Sequence, residues 1–134
     1  MEANDYDEVL GLWKRTECME LGPDDEREPI LRFLARNHGL SSVAMDGGRI
    51  VGAVLCGHDA RRGYMHHLAV DKDFRGRGIG TALAKHCMGL LTSAGVPRFT
   101  IFLYYSNPKG KRFWEKLGWK DRTDIFLMQS VPGD

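Results

Sequence analysis

Two stretches near the N-terminus carry apolar side chains at the spacing of a helix. The first consists of Val9, Leu10, Leu12 and Trp13, and the second of Ile30, Leu31, Phe33 and Leu34. Residues three and four positions apart lie on one face of a helix, so each stretch predicts an amphipathic helix. Gly39 predicts the end of the second helix, because glycine readily adopts the left-handed conformation found at helix C-termini.

β-rich runs follow, separated by turn residues and by two further helical patterns. The predicted strands cover residues 42–45, 50–56, 64–70, 99–105 and 125–131, and the predicted helices cover residues 78–91 and 109–117. A turn at Asp46-Gly47-Gly48 joins the first two strands into a hairpin. Gly118 predicts the end of the last helix.

The order of these elements predicts an α/β or α+β domain with a mixed sheet. Strand 64–70, helix 78–91 and strand 99–105 form a crossover unit. Such units are almost always right-handed, so the two strands should run parallel. No repeat, linker or low-complexity stretch interrupts the pattern, so we expect residues 1–134 to form a single domain.

Composition and charge narrow the class of protein. Of the 134 residues, 43% are hydrophobic and 28% are charged, as in an ordinary soluble domain. A net charge of +1 gives no electrostatic reason to expect nucleic acid or a membrane as the main partner. The three widely spaced cysteines do not suggest a disulfide framework, and the acidic N-terminus is no signal peptide, so we expect a cytoplasmic protein.

The most informative stretch runs from residue 67 to residue 80, where a strand leads through a glycine-rich loop into a helix. Glycines allow a backbone to approach a ligand closely. The free N–H groups at a helix start favour an anion, and Lys72, Arg75 and Arg77 add positive charge. Together these features predict a cradle for a pyrophosphate.

Two common phosphate-binding motifs do not fit this loop. A dinucleotide fingerprint that starts at Gly76 requires glycine where the chain has Thr81, and a P-loop requires Gly-Lys followed by Ser or Thr. The pattern that fits is R-x-x-G-x-G at Arg75, Gly78 and Gly80, behind a strand that ends Leu-Ala-Val. A glycine-rich turn that merely caps the helix is the structural alternative.

This loop resembles the acetyl-CoA-binding motif of the GNAT acetyltransferases. A second resemblance lies downstream, where strand residues 101–103 and Asn107 precede Phe-Trp-Glu-Lys-Leu-Gly-Trp at 113–119, which is similar to the family's LYEKLGF. The resemblance extends over about the whole chain, including hairpin residues 48–52, and is strongest to small bacterial single-domain members of the YpeA type. Core packing is the simpler interpretation of the aromatic side chains in 113–119.

The resemblance implies the GNAT fold, in which a mixed, mostly antiparallel sheet is splayed between its two central parallel strands and flanked by about four helices. The family usually begins with a strand before the first helix, and only residues 1–4 precede the first helix here, so we expect that edge strand to be missing or vestigial.

The resemblance also implies acetyl-CoA as co-substrate. The pantetheine arm would lie in the notch of the splayed sheet and pair with main-chain groups of Leu68 and Val70, much like an added strand. The implied contacts are Leu68, Ala69, Val70, Arg75, Gly76, Arg77, Gly78, Ile79, Gly80, Thr81 and Asn107. The Leu68 N–H would face the thioester oxygen and stabilise its developing negative charge.

Acetylation requires a neutral amine, since an ammonium has no lone pair, and a histidine can remove the proton. His66 and His67 are adjacent in strand 64–70, so regular alternation points them to opposite faces and prevents them from sharing a metal. Arylalkylamine N-acetyltransferases carry two histidines in the pattern H-x-H-x-L-A-V. In this chain the two histidine positions of that pattern are occupied by Tyr64 and His66. The resemblance therefore implies His66 as the base, and an ordinary hydrogen-bonded histidine is the alternative.

The acid that protonates the departing thiolate is less clearly marked. Most GNAT enzymes use a tyrosine at the position of Trp114, and an indole N–H cannot give up its proton. Tyr104 or Tyr105 can substitute, and we select Tyr105. Thiols have a reference pKa of about 8.5, so a thiolate is also a tolerable leaving group without an acid.

Zinc chemistry is a further alternative. Cys56 and His58 lie two positions apart near a strand end, and His66 is the nearest third ligand. No CxxC or HxxxH pattern accompanies them, so we expect no metal.

These features favour an enzyme that transfers an acetyl group from acetyl-CoA to a primary amine by direct attack. A non-catalytic acyl-CoA-binding or sensor domain is one alternative, and an interaction module that keeps only the fold is another. The acceptor is a small-molecule amine or a protein or peptide amine, because loops 16–28 and 59–63 carry both charge signs and do not distinguish them. The protein is expected to be a monomer or a homodimer.

Overall fold

The fold combines four α-helices with a four-stranded sheet in the computed structural model, which describes residues 1–133. The helices are α1 (Tyr6–Lys14), α2 (Arg27–Arg36), α3 (Ile79–Ser93) and α4 (Pro108–Lys116). The strands are β1 (Ser42–Asp46), β2 (Arg49–His58), β3 (Gly63–Val70) and β4 (Phe99–Thr100). Short 3₁₀ helices cover Ala3–Asp5, Pro23–Asp25 and Lys72–Phe74.

The sheet is mixed, with the strand order β1-β2-β3-β4. The first three strands pair antiparallel, and β4 pairs parallel to β3. Gly47 and Gly48 supply the positive φ angles, 55° and 82°, of the turn between β1 and β2. The α/β class, the hairpin and the parallel pair predicted from the sequence are thereby confirmed.

The core has two halves, one on each side of the sheet. On one side, α1 and α2 bury apolar side chains that include Leu12, Trp13 and Ile30. On the other side, α3 and α4 bury Leu91 and Trp114, which confirms that the aromatic pattern of 113–119 serves packing. Each such side chain contributes about 1.5–3 kcal/mol through the apolar surface it removes from water.

The prediction of a strand over residues 99–105 is wrong for most of that range. β4 consists of Phe99 and Thr100 alone, whose partners are Gly63 and Tyr64. Residues 102–105 are exposed and have no strand partner among the described residues. A β-rich sequence forms a strand only where a neighbouring backbone accepts its hydrogen bonds, and β3 diverges after Tyr64.

The predicted closing strand over residues 125–131 is also wrong. These residues have no regular secondary structure, and they are exposed to solvent. Their β-propensity is high, but the sheet offers them no ladder partner in this structure.

A β-bulge interrupts β3 at His67, which has a φ of 53°. The bulge reverses the alternation of the strand: Met65 packs beneath α3, whereas Ala69, four residues later, packs against α1. The prediction that His66 and His67 point to opposite faces is therefore wrong. His66 contacts Phe33 of α2 and His67 contacts Trp13 of α1, so both rings lie on the same side of the sheet.

The lengths and the apolar character of the helices decide whether any of them could cross a membrane. Among residues 1–133, none of the helices has both the length and the apolar character that crossing a bilayer requires.

Candidate active site

A notch opens in the sheet where β3 and β4 separate. The two strands pair only at Gly63–Phe99 and Tyr64–Thr100. Beyond Tyr64, β3 continues to Val70 while pairing with β2 on its other side alone. Backbone N–H and C=O groups on the open side of β3 are therefore available to a ligand that adds itself as a strand.

The glycine-rich loop leads from the end of β3 to the start of α3. Gly76 and Gly78 have φ angles of 78° and 82°, a region that other residues rarely occupy. Gly78 is the N-cap of α3 and contributes no side-chain cap, and the first N–H of the helix to find its acceptor belongs to Ala82, 3.0 Å from the Gly78 carbonyl oxygen. The preceding N–H groups, from Ile79 to Thr81, are thus free to bind an anion.

Gly80 has a different role from Gly78. A Cβ at Gly80 would lie 3.4 Å from the Phe113 ring and 3.6 Å from Val70, so this glycine allows α3 to pack closely against α4 and β3. A Cβ at Gly78 would meet nothing within 4 Å. Gly78 is therefore a cleaner probe of the loop than Gly80.

The two arginines of the loop already have protein partners. The Arg75 Nε donates to the Val70 carbonyl oxygen at 2.9 Å, and its guanidinium forms an ion pair with Glu17, which lies beyond the end of α1. This hydrogen bond from Arg75 lowers the pKa of Glu17. Arg77 lies over the Phe74 ring at 4.8 Å, so the two arginines shape the loop as well as charging it.

A cleft of about 200 Å³ lies between the C-terminal end of α1 and this loop. It is lined by Leu12, Arg15, Thr16, Val70, Asp71, Lys72, Asp73 and Arg75. Asp71 is buried at its base, where its carboxylate accepts from the Asp73 N–H and from Arg15, both at 3.0 Å. These two donors lower the pKa of Asp71 and hold it as a fixed anion that organises the loop.

Aromatic rings surround the candidate base His66. Its imidazole is nearly parallel to the rings of Tyr64 and Phe102, with centroid distances of 6.0 and 6.1 Å, and it meets the edge of Phe33 at 6.2 Å. Burial lowers the pKa of His66, and the neighbouring His67 lowers it further. A lowered pKa increases the neutral, proton-accepting fraction of the imidazole at neutral pH.

Sequence reasoning missed the partner of His67. The His67 Nε2 lies 2.8 Å from the Asp25 Oδ1, and the other carboxylate oxygen of Asp25 accepts from the Gly22 N–H at 3.0 Å. Asp25 is itself buried. The turn-forming Gly22-Pro23 sequence before Asp25 was the only local signal, and it does not reveal a contact with β3.

The remaining predicted site residues, Asn107 and Tyr105, follow β4 in the chain, as does Trp114 at the position of the family's usual tyrosine. Asn107 caps α4 through its Oδ1, which accepts from the Gly110 N–H at 2.9 Å. Trp114 is buried against Trp119 at a centroid distance of 4.9 Å and so belongs to the core. The Tyr105 side chain is fully exposed in the turn before α4, and the charge of Glu20 raises the pKa of Tyr104.

The zinc alternative is not supported by the positions of its proposed ligands. Cys56 is buried on the α3 side of the sheet, opposite His66, and the His58 Nδ1 accepts from the Ala60 N–H at 2.9 Å. Within residues 1–133, no three His, Cys, Asp or Glu side chains are grouped so that they could hold a metal ion.

The sequence is similar to those of known acetyltransferases. The model of the acetyltransferase (GNAT) family matches residues 7–119. The chain is 31% identical over 125 residues to acetyltransferase SG1711 of Sodalis glossinidius, covering 93% of this chain and 87% of that protein. It is 34% identical over 119 residues to acetyltransferase plu1384 of Photorhabdus laumondii, covering 89% and 82%.

Solved structures with low sequence identity have the same fold. The PaiA N-acetyltransferase from Thermoplasma acidophilum, in complex with coenzyme A, superposes with a TM-score of 0.80 at 15% identity, covering 93% of this chain and 89% of that one. The aminoglycoside N-acetyltransferase AAC(6')-Iy, in complex with CoA, superposes with a TM-score of 0.76 at 17% identity, covering 97% and 91%. The sequence matches and the splayed mixed sheet lead to one conclusion: the chain belongs to the GNAT acetyltransferase family.

Proposed function

We propose that the protein transfers the acetyl group of acetyl-CoA to a primary amine by direct attack, without a covalent enzyme intermediate. The observation that carries this proposal is the notch between β3 and β4, which ends at the uncapped start of α3. One ligand with an extended amide-containing arm and a pyrophosphate can satisfy both features at once.

The residues at the notch fit such a ligand. The N–H groups at the start of α3, following Gly76 and Gly78, would hold the pyrophosphate, and the main chain of Leu68 and Val70 would pair with the pantetheine arm. The ligand supplies an acetyl thioester. The Leu68 N–H would donate to the thioester oxygen and stabilise the charge that develops there.

His66 would accept the proton of the amine. Its lowered pKa favours the neutral imidazole, and its contacts with Tyr64, which pairs with β4, and with Phe102, which follows β4, lie beside the notch. The amine nitrogen forms a bond to the thioester carbon, the carbon–sulfur bond breaks, and the nitrogen loses its proton to the base.

Tyr105 would return a proton to the departing thiolate. It precedes α4 at the open end of the notch, and its exposed hydroxyl can turn towards a ligand. Tyr105→Phe should lower turnover with little change in the binding of CoA. Tyr104→Phe is the matched comparison, since the two side chains are adjacent.

The test is the release of CoA from acetyl-CoA with and without a panel of primary amines. We expect release to depend on an amine, and CoA to raise the melting temperature by mass action. Release that is absent with every small amine and every peptide amine would contradict the enzymatic proposal.

A non-catalytic acyl-CoA sensor is the second candidate. The observation that favours it is the burial of Trp114 at the position where most family members carry the acid. A sensor would show the thermal shift with acetyl-CoA and no amine-dependent release, so the same two measurements separate the candidates. An interaction module would show neither.

A further inference from the structure

The segment formed by residues 125–131, hereafter the C-terminal segment, exposes an unusual amount of apolar surface. Its exposed fractions are 62% for Ile125, 93% for Phe126, 66% for Leu127, 86% for Met128 and 60% for Val131. Single exposed apolar residues are common on protein surfaces, but contiguous ones mark interaction sites. The segment also has the β-branched and aromatic composition of a strand.

The sheet presents an open edge of matching character. β4 is the last strand in the order β1-β2-β3-β4, and no strand within residues 1–133 covers its outer side. Residues 99–104, hereafter the open edge, continue with exposed side chains: 52% for Phe102, 39% for Leu103 and 53% for Tyr104. An uncovered apolar edge is a template for pairing with another strand.

We infer that the C-terminal segment of one copy pairs with the open edge of a second copy, and that the second copy returns the same contact. The high exposure of the segment shows that it does not lie on the sheet of its own chain. A chain with both an unpaired strand and an open edge satisfies both when two copies exchange segments around a two-fold axis, which closes the assembly.

Length and charge agree with this exchange. Seven extended residues span about 23 Å, which is enough to cover the six residues of the open edge. The net charge of +1 imposes little repulsion between two copies. Both surfaces are apolar, so pairing would remove their side chains from water on both partners.

The exchange would also affect the candidate active site. The ring of Phe102, which belongs to the open edge, stacks on the His66 ring with a centroid distance of 6.1 Å. A partner's segment paired with this edge would therefore fix the position of Phe102 beside His66. The dimer itself does not depend on the proposed function, and its test needs no activity.

The deciding experiment uses two variants, each with Cys18→Ser to remove the exposed thiol. One variant carries Tyr104→Cys and the other carries Leu127→Cys, and the two chains differ in tag length. After they are mixed and oxidised, we expect a disulfide-linked heterodimer on a non-reducing gel. Light scattering of the unmodified protein should give twice the 15.1 kDa of one chain.

A monomer in light scattering, or a dimer without the mixed cross-link, would overturn the exchange. The variant with both cysteines in one chain identifies the alternative, because a segment that folds back on its own edge would cross-link without a change in chain number.

Point variants give a second measure. Phe126→Asp should raise the dimer dissociation constant at least about tenfold, since a charge would have to be buried. Met45→Asp is the matched control, because Met45 is 59% exposed on β1 at the opposite side of the sheet. If Met45→Asp dissociates the dimer and Phe126→Asp does not, the interface lies on the other edge and the inference is wrong.

Discussion

The Nε2 of His67 lies 2.8 Å from the Asp25 carboxylate, so a residue 42 positions earlier in the chain holds the bulge of β3. The backbone of His67 has a positive φ, which costs a non-glycine residue about 1–3 kcal/mol. The contact with Asp25 and the packing against Trp13 offset that cost. The bulge is thus a product of tertiary contacts.

A double-mutant cycle tests this relationship. Asp25→Asn and His67→Asn should each lower the free energy of unfolding, Asp25→Asn by about 1–3 kcal/mol because a buried acceptor loses its charge. Asparagine tolerates positive φ, so His67→Asn mainly removes the contact. Urea denaturation should show a coupling of about 0.5–3 kcal/mol, whereas additive effects would mean that the pair does not hold the bulge.

The anion cradle predicts a specific defect for Gly78→Ala. The alanine meets no neighbouring atom but must adopt a φ near 82°, so the loop should move and weaken the binding of CoA at least about tenfold. Calorimetry or thermal shift with CoA measures the loss. Gly118→Ala is the control, because Gly118 has a φ of 92°, similarly open surroundings and a position after α4. Equal CoA affinity in both variants would contradict the cradle.

The pKa of His66 predicts the pH dependence of the proposed reaction. Burial lowers this pKa below its usual value of 6.5, so activity should rise with pH through an ionisation below 6.5 and level off near neutrality. His66→Gln should remove that ionisation and lower turnover, and should leave CoA binding nearly unchanged. His67→Gln is a poor control because of the contact with Asp25, so the exposed His86→Gln serves instead.

The same shift affects stability. The pKa of His66 is lower in the folded protein than in the unfolded chain. The neutral imidazole therefore makes its full contribution to the free energy of unfolding above a pH of about 6.5, and this contribution is lost as the pH falls through the folded pKa. The wild-type protein should therefore lose more stability than His66→Gln between pH 7 and pH 5, as measured by denaturation. An identical pH dependence in both proteins would mean that the histidine is not buried as described.

Two glycines predict opposite changes in stability. A Cβ at Gly57 would lie 2.7 Å from the Asn37 carboxamide and 2.8 Å from Phe33, so Gly57→Ala should destabilise by about 1–3 kcal/mol. A Cβ at Gly89, exposed on α3, would meet nothing within 4 Å. Gly89→Ala should therefore stabilise by about 0.5–1 kcal/mol. Chemical denaturation of both variants checks the sign, and a loss at Gly89 would contradict the packing of α3.

Local patterns in the sequence predicted most of the architecture. The apolar spacing of α1, α2 and α3 reflects a helix that buries one face, and the glycines of the loop reflect backbone angles that other residues avoid. The glycine-rich loop could be predicted because its parts are contiguous from β3 to α3. The family resemblance rests on this loop and on the second motif at residues 101–119.

The failures all concern contacts between distant segments. The bulge at His67 depends on Asp25 and Trp13, which the sequence of β3 does not contain. The strands expected over 99–105 and 125–131 have suitable side chains, but strand formation also requires a neighbouring backbone. The arrangement of the whole sheet decides whether these two segments have a partner, and the sequence of neither segment contains that arrangement.

The notch has a consequence for the dynamics of the sheet. On its open side, β3 carries amide groups from Met65 to Val70 that the protein itself leaves without a strand partner among the described residues. A ligand that pairs with β3 completes the hydrogen-bond ladder there. Binding should therefore slow amide hydrogen exchange in β3, in the middle of the sheet, and not only in the surface loops. In the proposed complex the bound molecule therefore acts as a structural member of the fold, because it completes a sheet that the protein alone leaves open at its centre.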